Sequence, residues 1–147
     1  MDSDKNHYFE QYRLYVNSIE KISDRRDSAN KYFLTINSSI IVLVGLVIQY
    51  AQENKKLFLI GMCLFGLIIC IIFWFLINSY KQLNSGKFKE LHKIEEKLPL
   101  QPYKDEWKIL GEGKDFRKYF PFSHIEKTVP VVFFLGYAIL IVYLLII

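Results

Sequence analysis

Charge is absent from three long runs of this chain and crowded into the stretches between them. Residues 32–52, 57–80 and 128–147 contain no Asp, Glu, Lys or Arg, so all 19 basic and 15 acidic residues lie elsewhere. Each run is close to the roughly 20 residues that let a helix cross a bilayer core of about 30 Å. The pattern predicts transmembrane helices over 33–50, 57–77 and 130–147. The middle one is almost wholly apolar, whereas Thr35, Asn37, Ser38, Ser39 and Gln49 dilute the first. The third is short for its task, about 27 Å long at about 1.5 Å per residue.

The charged stretches carry a pattern of their own. Tyr8, Tyr12, Tyr15, Ile19 and Ile22 recur at helical spacing, and no Pro or Gly interrupts the chain before Gly45. A helical extension over 1–32 therefore runs straight into the first span. After the second span, Tyr80, Leu83, Phe88, Leu91, Ile94 and Leu98 form an apolar stripe over 78–98. Gly86 weakens that helix by about 1 kcal/mol relative to Ala, and Pro99 ends it. A connection of only six residues, 51–56, makes the two helices antiparallel neighbours. The predicted fold is all-α and membrane-integral: three transmembrane helices, the first two a long hairpin extending into the cytoplasm.

Residues 99–129 read differently. Pro99, Pro102, Gly111, Gly113 and Pro121 cut them into short pieces, with one or two helical turns over 104–110. Trp107, Tyr119, Phe120 and Phe122 are expected as interfacial anchors or docking groups. Ser123 and Glu126 match a capping box, and Thr128 with Pro130 offers a second helix start. The segment 123–147 is thus either one kinked helix or two short ones.

Charge then orients the chain. Residues 1–32 hold six Lys and Arg, residues 51–56 two, and residues 78–127 eleven. By the positive-inside bias, the N-terminus and long loop are expected to face the cytoplasm, and the 51–56 turn and C-terminus the outside. Neither a cleavable signal peptide nor lipidation is expected, because the first apolar run starts late, residue 2 is Asp and no terminal Cys is present. The net charge of +4 follows from this bias and from juxtamembrane Lys that meets anionic lipid heads. The expected partners are membrane lipids and further copies of the chain. No nucleic-acid partner is expected, since nothing in the sequence resembles a recognition module.

Candidate chemistry is sparse. Thr35, Ser38, Val42, Gly45 and Gln49 share one face of the first span, at the spacing where small and hydroxylated residues let helices meet in lipid. That face either packs against a helix or lines a pore. Asn37 suits either role, or an interhelical hydrogen bond. Cys63, Gly66 and Cys70 form a small stripe expected to pack, and the two thiols stand too far apart along one helix to bridge. The three His lack ligand spacing, so no metal site is expected. Gly111-Glu-Gly-Lys114 lacks P-loop spacing and reads as a turn. Glu95, Glu96, Glu106 and Glu126 lie among Lys residues and read as solvated or paired. Nothing suggests catalytic residues or a cofactor. Arg25 and Arg26, in a dense Asp-Arg-Arg-Asp run, suit a basic belt at the membrane surface or ion pairs between subunits.

Several runs taken together resemble a known family: Glu20 to Ser38 leading into the first span, Asn78 to Phe88, Glu95 to Pro99, and Glu106-Trp107. They are similar to the RipA family of octameric bacterial membrane proteins, over roughly residues 18–130. That resemblance implies an inner-membrane homo-octamer, named for a virulence factor required for proliferation inside host cells, with no established catalytic residues. The expected function is a non-enzymatic oligomeric membrane protein of envelope or stress adaptation, or of intracellular proliferation. Its candidate interface residues are Arg25, Arg26, Asn30, Asn37, Asn84, Glu106 and Trp107. The alternative is a pore-forming or membrane-disrupting effector, in phage defence, because the first-span entry also resembles such two-span effectors.

Overall fold

A computed structural model describes the backbone of residues 2–51, 53–114, 117–119 and 122–146, with side chains from residue 6 and, in the last helix, from residue 125. Helix α1 spans Asp2–Tyr50, α2 Lys55–Glu95, α3 Pro102–Ile109 and α4 Phe122–Ile146, with a 3-10 turn at Gly111–Gly113. Among the described residues there is no strand. Helices α1 and α2 form the long hairpin expected from the sequence, and α1, α2 and α4 are each long and apolar enough to cross a membrane. The chain divides into two compact units. A polar unit holds Met1–Asp27 and Ser79–His124, and a membrane unit holds Ser28–Asn78 and Ile125–Ile147.

Helix α1 is unbroken because it holds no proline, and its one glycine, Gly45, falls in the last two turns. At its end, the Lys55 ammonium reaches the Ile48 carbonyl, a cation on an orphan acceptor at a helix C-terminus. The turn is then closed by Asn54 at φ 53°, a left-handed conformation that Asn tolerates better than most residues. Helix α2 runs through Gly86 and stops at Glu95, three residues before the stripe does. There the Lys97 and Leu98 amides bond three residues back, to Ile94 and Glu95, and tighten the chain ahead of Pro99.

Helix α4 settles the ambiguity at 123–147. It is one helix, begins eight residues before Pro130 and continues through it. Pro130 is buried rather than placed at a helix start. A spanning segment has no water for its backbone, so staying helical around a proline is the cheaper solution. The Ser123 capping side chain and the Phe120 and Phe122 anchors lie outside the described residues.

In the membrane unit the inner faces carry Phe33, Ile40 and Val44 of α1, Leu59, Cys63, Cys70, Phe73 and Ile77 of α2, and Tyr137 of α4. Phe33 stacks on Phe73 at 4.0 Å between centroids and meets Phe133 edge-on at 5.8 Å, so one ring joins all three helices. The Cys63–Gly66–Cys70 stripe packs inward, and both cysteines are free thiols. A Cβ on Gly66 would sit 2.5 Å from Cε2 of Tyr137, so the tyrosine ring lies where a side chain would otherwise be.

That close approach generates a prediction. Gly66→Ala should destabilise the membrane unit by about 1–3 kcal/mol, as overpacking does, whereas Gly61→Ala meets nothing within 4 Å. Thermal unfolding in detergent reads the difference, and Tyr137→Ala should remove the penalty of Gly66→Ala. Equal melting temperatures for Gly66→Ala and Gly61→Ala would refute the packing account.

Candidate functional site

A polar group inside a span must find its partners among neighbouring helices. Asn37 is fully buried. Its Nδ2 donates to the Phe33 carbonyl at 2.9 Å, and its Oδ1 accepts from the Tyr137 hydroxyl at 3.0 Å. The Cys70 thiol points at the same oxygen from 4.0 Å, a weak third contact. The amide therefore ties α1 to α4 beside α2 and leaves no surface for another chain. Asn30 is likewise used within the unit, donating to Glu126 at 2.7 Å, and Glu126 is buried despite its charge. The Lys127 ammonium lies 5.1 Å from the centre of the Trp74 ring, a pairing suited to the bilayer margin.

The small polar face of α1 has the opposite fate. Thr35, Ser38, Val42, Gly45 and Gln49 are all exposed. A Cβ on Gly45 would meet nothing within 4 Å. At about 100° per residue this face lies roughly 150° around α1 from the buried line of Phe33, Asn37, Ile40 and Val44. The Thr35 and Ser39 hydroxyls bond to the carbonyls of Lys31 and Thr35, four residues back on their own helix, at 2.9 and 2.8 Å. They thus need neither water nor a partner to be satisfied.

The polar unit is organised by Glu95. It is fully buried, not solvated, and its partners are a hydroxyl and backbone amides rather than lysine ammonium groups. Oε1 accepts from the Tyr12 hydroxyl and the Tyr103 amide, both at 3.1 Å, and Oε2 from the Lys104 amide at 2.9 Å. Those amides open α3, whose own N-cap residue, Gln101, supplies no side-chain bond. Pro102 precedes them with no N–H to satisfy. One carboxylate therefore caps α3, suits its positive end, and pins it to α1 and α2. Burial and the adjacent carboxylate push the Tyr12 phenol up to about 12. Glu96, by contrast, is exposed and pairs with Lys104 at 2.7 Å.

Beside this node lies a cavity of about 500 Å³. Of the candidate interface residues, it brings together Arg26, Asn84, Glu106 and Trp107; Arg25 is exposed. Aromatic walls come from Phe88, Tyr103 and Tyr119. Tyr119 meets Trp107 edge-on at 6.3 Å. The Gly111–Gly113 turn closes one side with three successive left-handed residues, and a Cβ on Gly113 would press to 3.1 Å from Trp107. Lys81, Lys89 and Glu112 add charge, and His92 adds a ring nitrogen. Two buried atoms here, Asn84 Oδ1 and His92 Nε2, have no hydrogen-bond partner among the described residues. No group of three or more metal-capable side chains converges among the described residues.

Sequence reasoning placed Asn84, Glu106 and Trp107 in one set without a shared cavity to explain it. It missed Glu95 and Tyr137 as organising groups, since their partners lie 83 and 100 residues away in the chain. A hydroxyl in the middle of an apolar span was the available hint for Tyr137. Hydrogen bonds to a charged group contribute about 1.5–3 kcal/mol, so Glu95→Ala should lose at least that much stability. Faster hydrogen exchange at the Tyr103 and Lys104 amides should mark the place. Glu96→Ala removes only a surface pair and should change stability by less than about 1 kcal/mol. Similar effects of the two substitutions would disprove the capping role.

No curated protein and no solved structure matches the chain. A family model, the octameric membrane protein family, matches residues 9–146. The match takes in both units and all three apolar helices, and it agrees with the likeness to RipA drawn from the residue runs. This chain belongs to the octameric membrane protein family, and it is a multi-pass membrane protein that assembles with copies of itself.

Proposed function

We propose that the protein is a non-enzymatic octamer of a bacterial inner membrane, with copies meeting along the Thr35–Gln49 face of α1. The observation that carries this is the complete exposure of that face beside a fully used inner face. A helix surrounded by lipid gains nothing from Thr, Ser, Gly and Gln at this spacing, whereas a close helix–helix contact does. The remainder of the spans is also poorly covered: only 11% of the most apolar stretch of the third is buried within the chain. Lipid and neighbouring subunits are the surfaces that cover it. The physiological role that fits is envelope or stress adaptation, including proliferation inside a host cell, as the likeness to RipA implies.

The same face supports a second reading, a pore-forming effector in phage defence, because Ser38 and Gln49 are polar and open. The back-bonded hydroxyls of Thr35 and Ser39 favour dry packing over a wet lining. In sidedness, the N-terminus, α3 and the 3-10 turn face the cytoplasm, and the 51–56 turn faces outside. This follows from the distribution of Lys and Arg.

Two outcomes test these readings. Gly45→Leu has room within the chain, so it should fold, yet native mass measurement in detergent should show the octamer replaced by smaller species. A strain carrying it should lose envelope-stress tolerance. An intact octamer would remove this face from the interface. In the second experiment an impermeant thiol reagent is applied to intact cells. It should label Glu53→Cys and spare Glu90→Cys, and the reverse would invert the topology. Labelling of Ser38→Cys from either side of the membrane would replace the packed interface with the pore.

A further inference from the structure

Two helices of the membrane unit leave a groove open to the bilayer. It lies between α2 and α4, encloses about 390 Å³ and is lined by apolar side chains alone. Its floor holds two short, buried residues, Cys70 and Pro130. Its walls are the larger Trp74, Phe75, Phe134 and Leu135, each between 37% and 67% open. Short residues between tall ones make a furrow where the rest of α2 presents a full apolar surface. From Pro130 to Leu135 the furrow runs about 8 Å along α4, at about 1.5 Å per residue. Its walls forfeit dispersion contacts unless something slender fills it.

Charge at one end narrows the choice of occupant. Lys127 precedes Pro130 by three residues and Val131 by four, so it shares their face of α4. Its ammonium stands 5.1 Å from the centre of the Trp74 ring, within cation–π reach. A ring face neutralises no charge, and Lys127 has no carboxylate partner among the described residues. Its ammonium carries three donors, and the half-open Trp74 adds an indole N–H at the same end. Along the furrow the chain thus presents apolar walls, then an indole, then an ammonium. A phospholipid presents its chain, its ester level and its phosphate in that order. The furrow alone would also accept a span of a second copy. The uncompensated ammonium at its end favours a lipid, which brings a chain and an anion together.

We propose that the α2–α4 groove is a specific site for an anionic glycerophospholipid, one acyl chain lying in the furrow and Lys127 meeting the phosphate. The site lies on α2 and α4 and not on the Thr35–Gln49 face of α1, so lipid binding and assembly can fail separately.

The test places the full-length protein in phosphatidylcholine vesicles and adds a rising share of phosphatidylglycerol with dibrominated chains. Bromine quenches a tryptophan it touches. The chain has two tryptophans, so a Trp107→Phe background leaves Trp74 as the reporter. Phosphatidylglycerol should quench with about fivefold preference over phosphatidylcholine brominated in the same way, which is about 1 kcal/mol. Lys127→Gln should bring that ratio close to one while quenching persists. Val131→Phe fills the furrow from a position 41% open and should lower quenching by both lipids. Circular dichroism and native mass of each variant should match the parent, which separates lost binding from lost folding. Equal quenching by the two lipids in the parent would reduce the groove to ordinary bilayer contact and overturn the proposal. A preference that survives Lys127→Gln, or quenching indifferent to Val131→Phe, would place the anion or the chain elsewhere and overturn it too. No quenching by either lipid would mean that a second copy covers the groove, which also overturns it.

Discussion

The hydroxyl of Tyr137 donates to Asn37 where neither group can turn to water instead. In lipid, an amide in a span must be satisfied by protein, and both polar atoms of Asn37 have protein partners, Phe33 for the nitrogen and Tyr137, with the weak contact from Cys70, for the oxygen. Hydrogen bonds of this kind are individually modest, averaging about 0.6 kcal/mol in membrane proteins. Their directionality matters more than their strength. Apolar packing tolerates many rotations of one span against another, but this bond admits one. It sets α1 with Phe33, Ile40 and Val44 inward, and it brings the Tyr137 ring onto Gly66. The stacked pair Phe33–Phe73 and the edge-on Phe133 then fill what remains.

A related device works in the polar unit with a charge in place of an amide. Short α3 has eight residues, too few to be stable alone in water. It stands because Glu95 completes its first turn, and Glu95 is itself held by Tyr12. Removing water strengthens each of these bonds and raises the cost of leaving any one unmade. In both units, therefore, one buried polar side chain with several partners fixes a geometry that the surrounding apolar contacts leave free. Exposed pairs such as Lys93–Glu90 and Lys108–Asp105 add little to this.

What the sequence made legible was what depends on periodicity and on charge. Segregated charge located three spans, and the lack of breakers before Gly45 announced a continuous α1. The stripe from Tyr80 to Leu98 foretold the length of α2 to within three residues. The turn at Gly111–Gly113 was visible in its glycines. What stayed hidden depends on pairs distant in sequence. Glu95 lies beside the stripe of Leu91, Ile94 and Leu98 and Glu96 does not, but the stripe gives a buried carboxylate no partners. Yet one is sealed inside while the other lies in solvent. The difference is made by Tyr12 and by the amides of α3, which no local pattern relates to residue 95. Pro130 left one helix or two open for a related reason: proline marks helix starts where water can satisfy the backbone, and a span removes that option.

The two faces of α1 then constrain each other. Once Asn37 is committed inward, the residues at 35, 38, 42, 45 and 49 must point away from α2 and α4. A span facing only lipid is free to be uniformly Leu, Ile and Phe, as the outer surface of α2 largely is at Phe65, Ile68, Ile72 and Phe75. The α1 face departs from that composition at each of these positions except Val42, and Gly45 opens a flat place where another backbone can approach closely. Membership of an octameric family makes a second copy of the chain the natural occupant. By fixing the rotation of α1, the bond between Tyr137 and Asn37 thus decides which face of that helix is turned away from the rest of the protomer and left open.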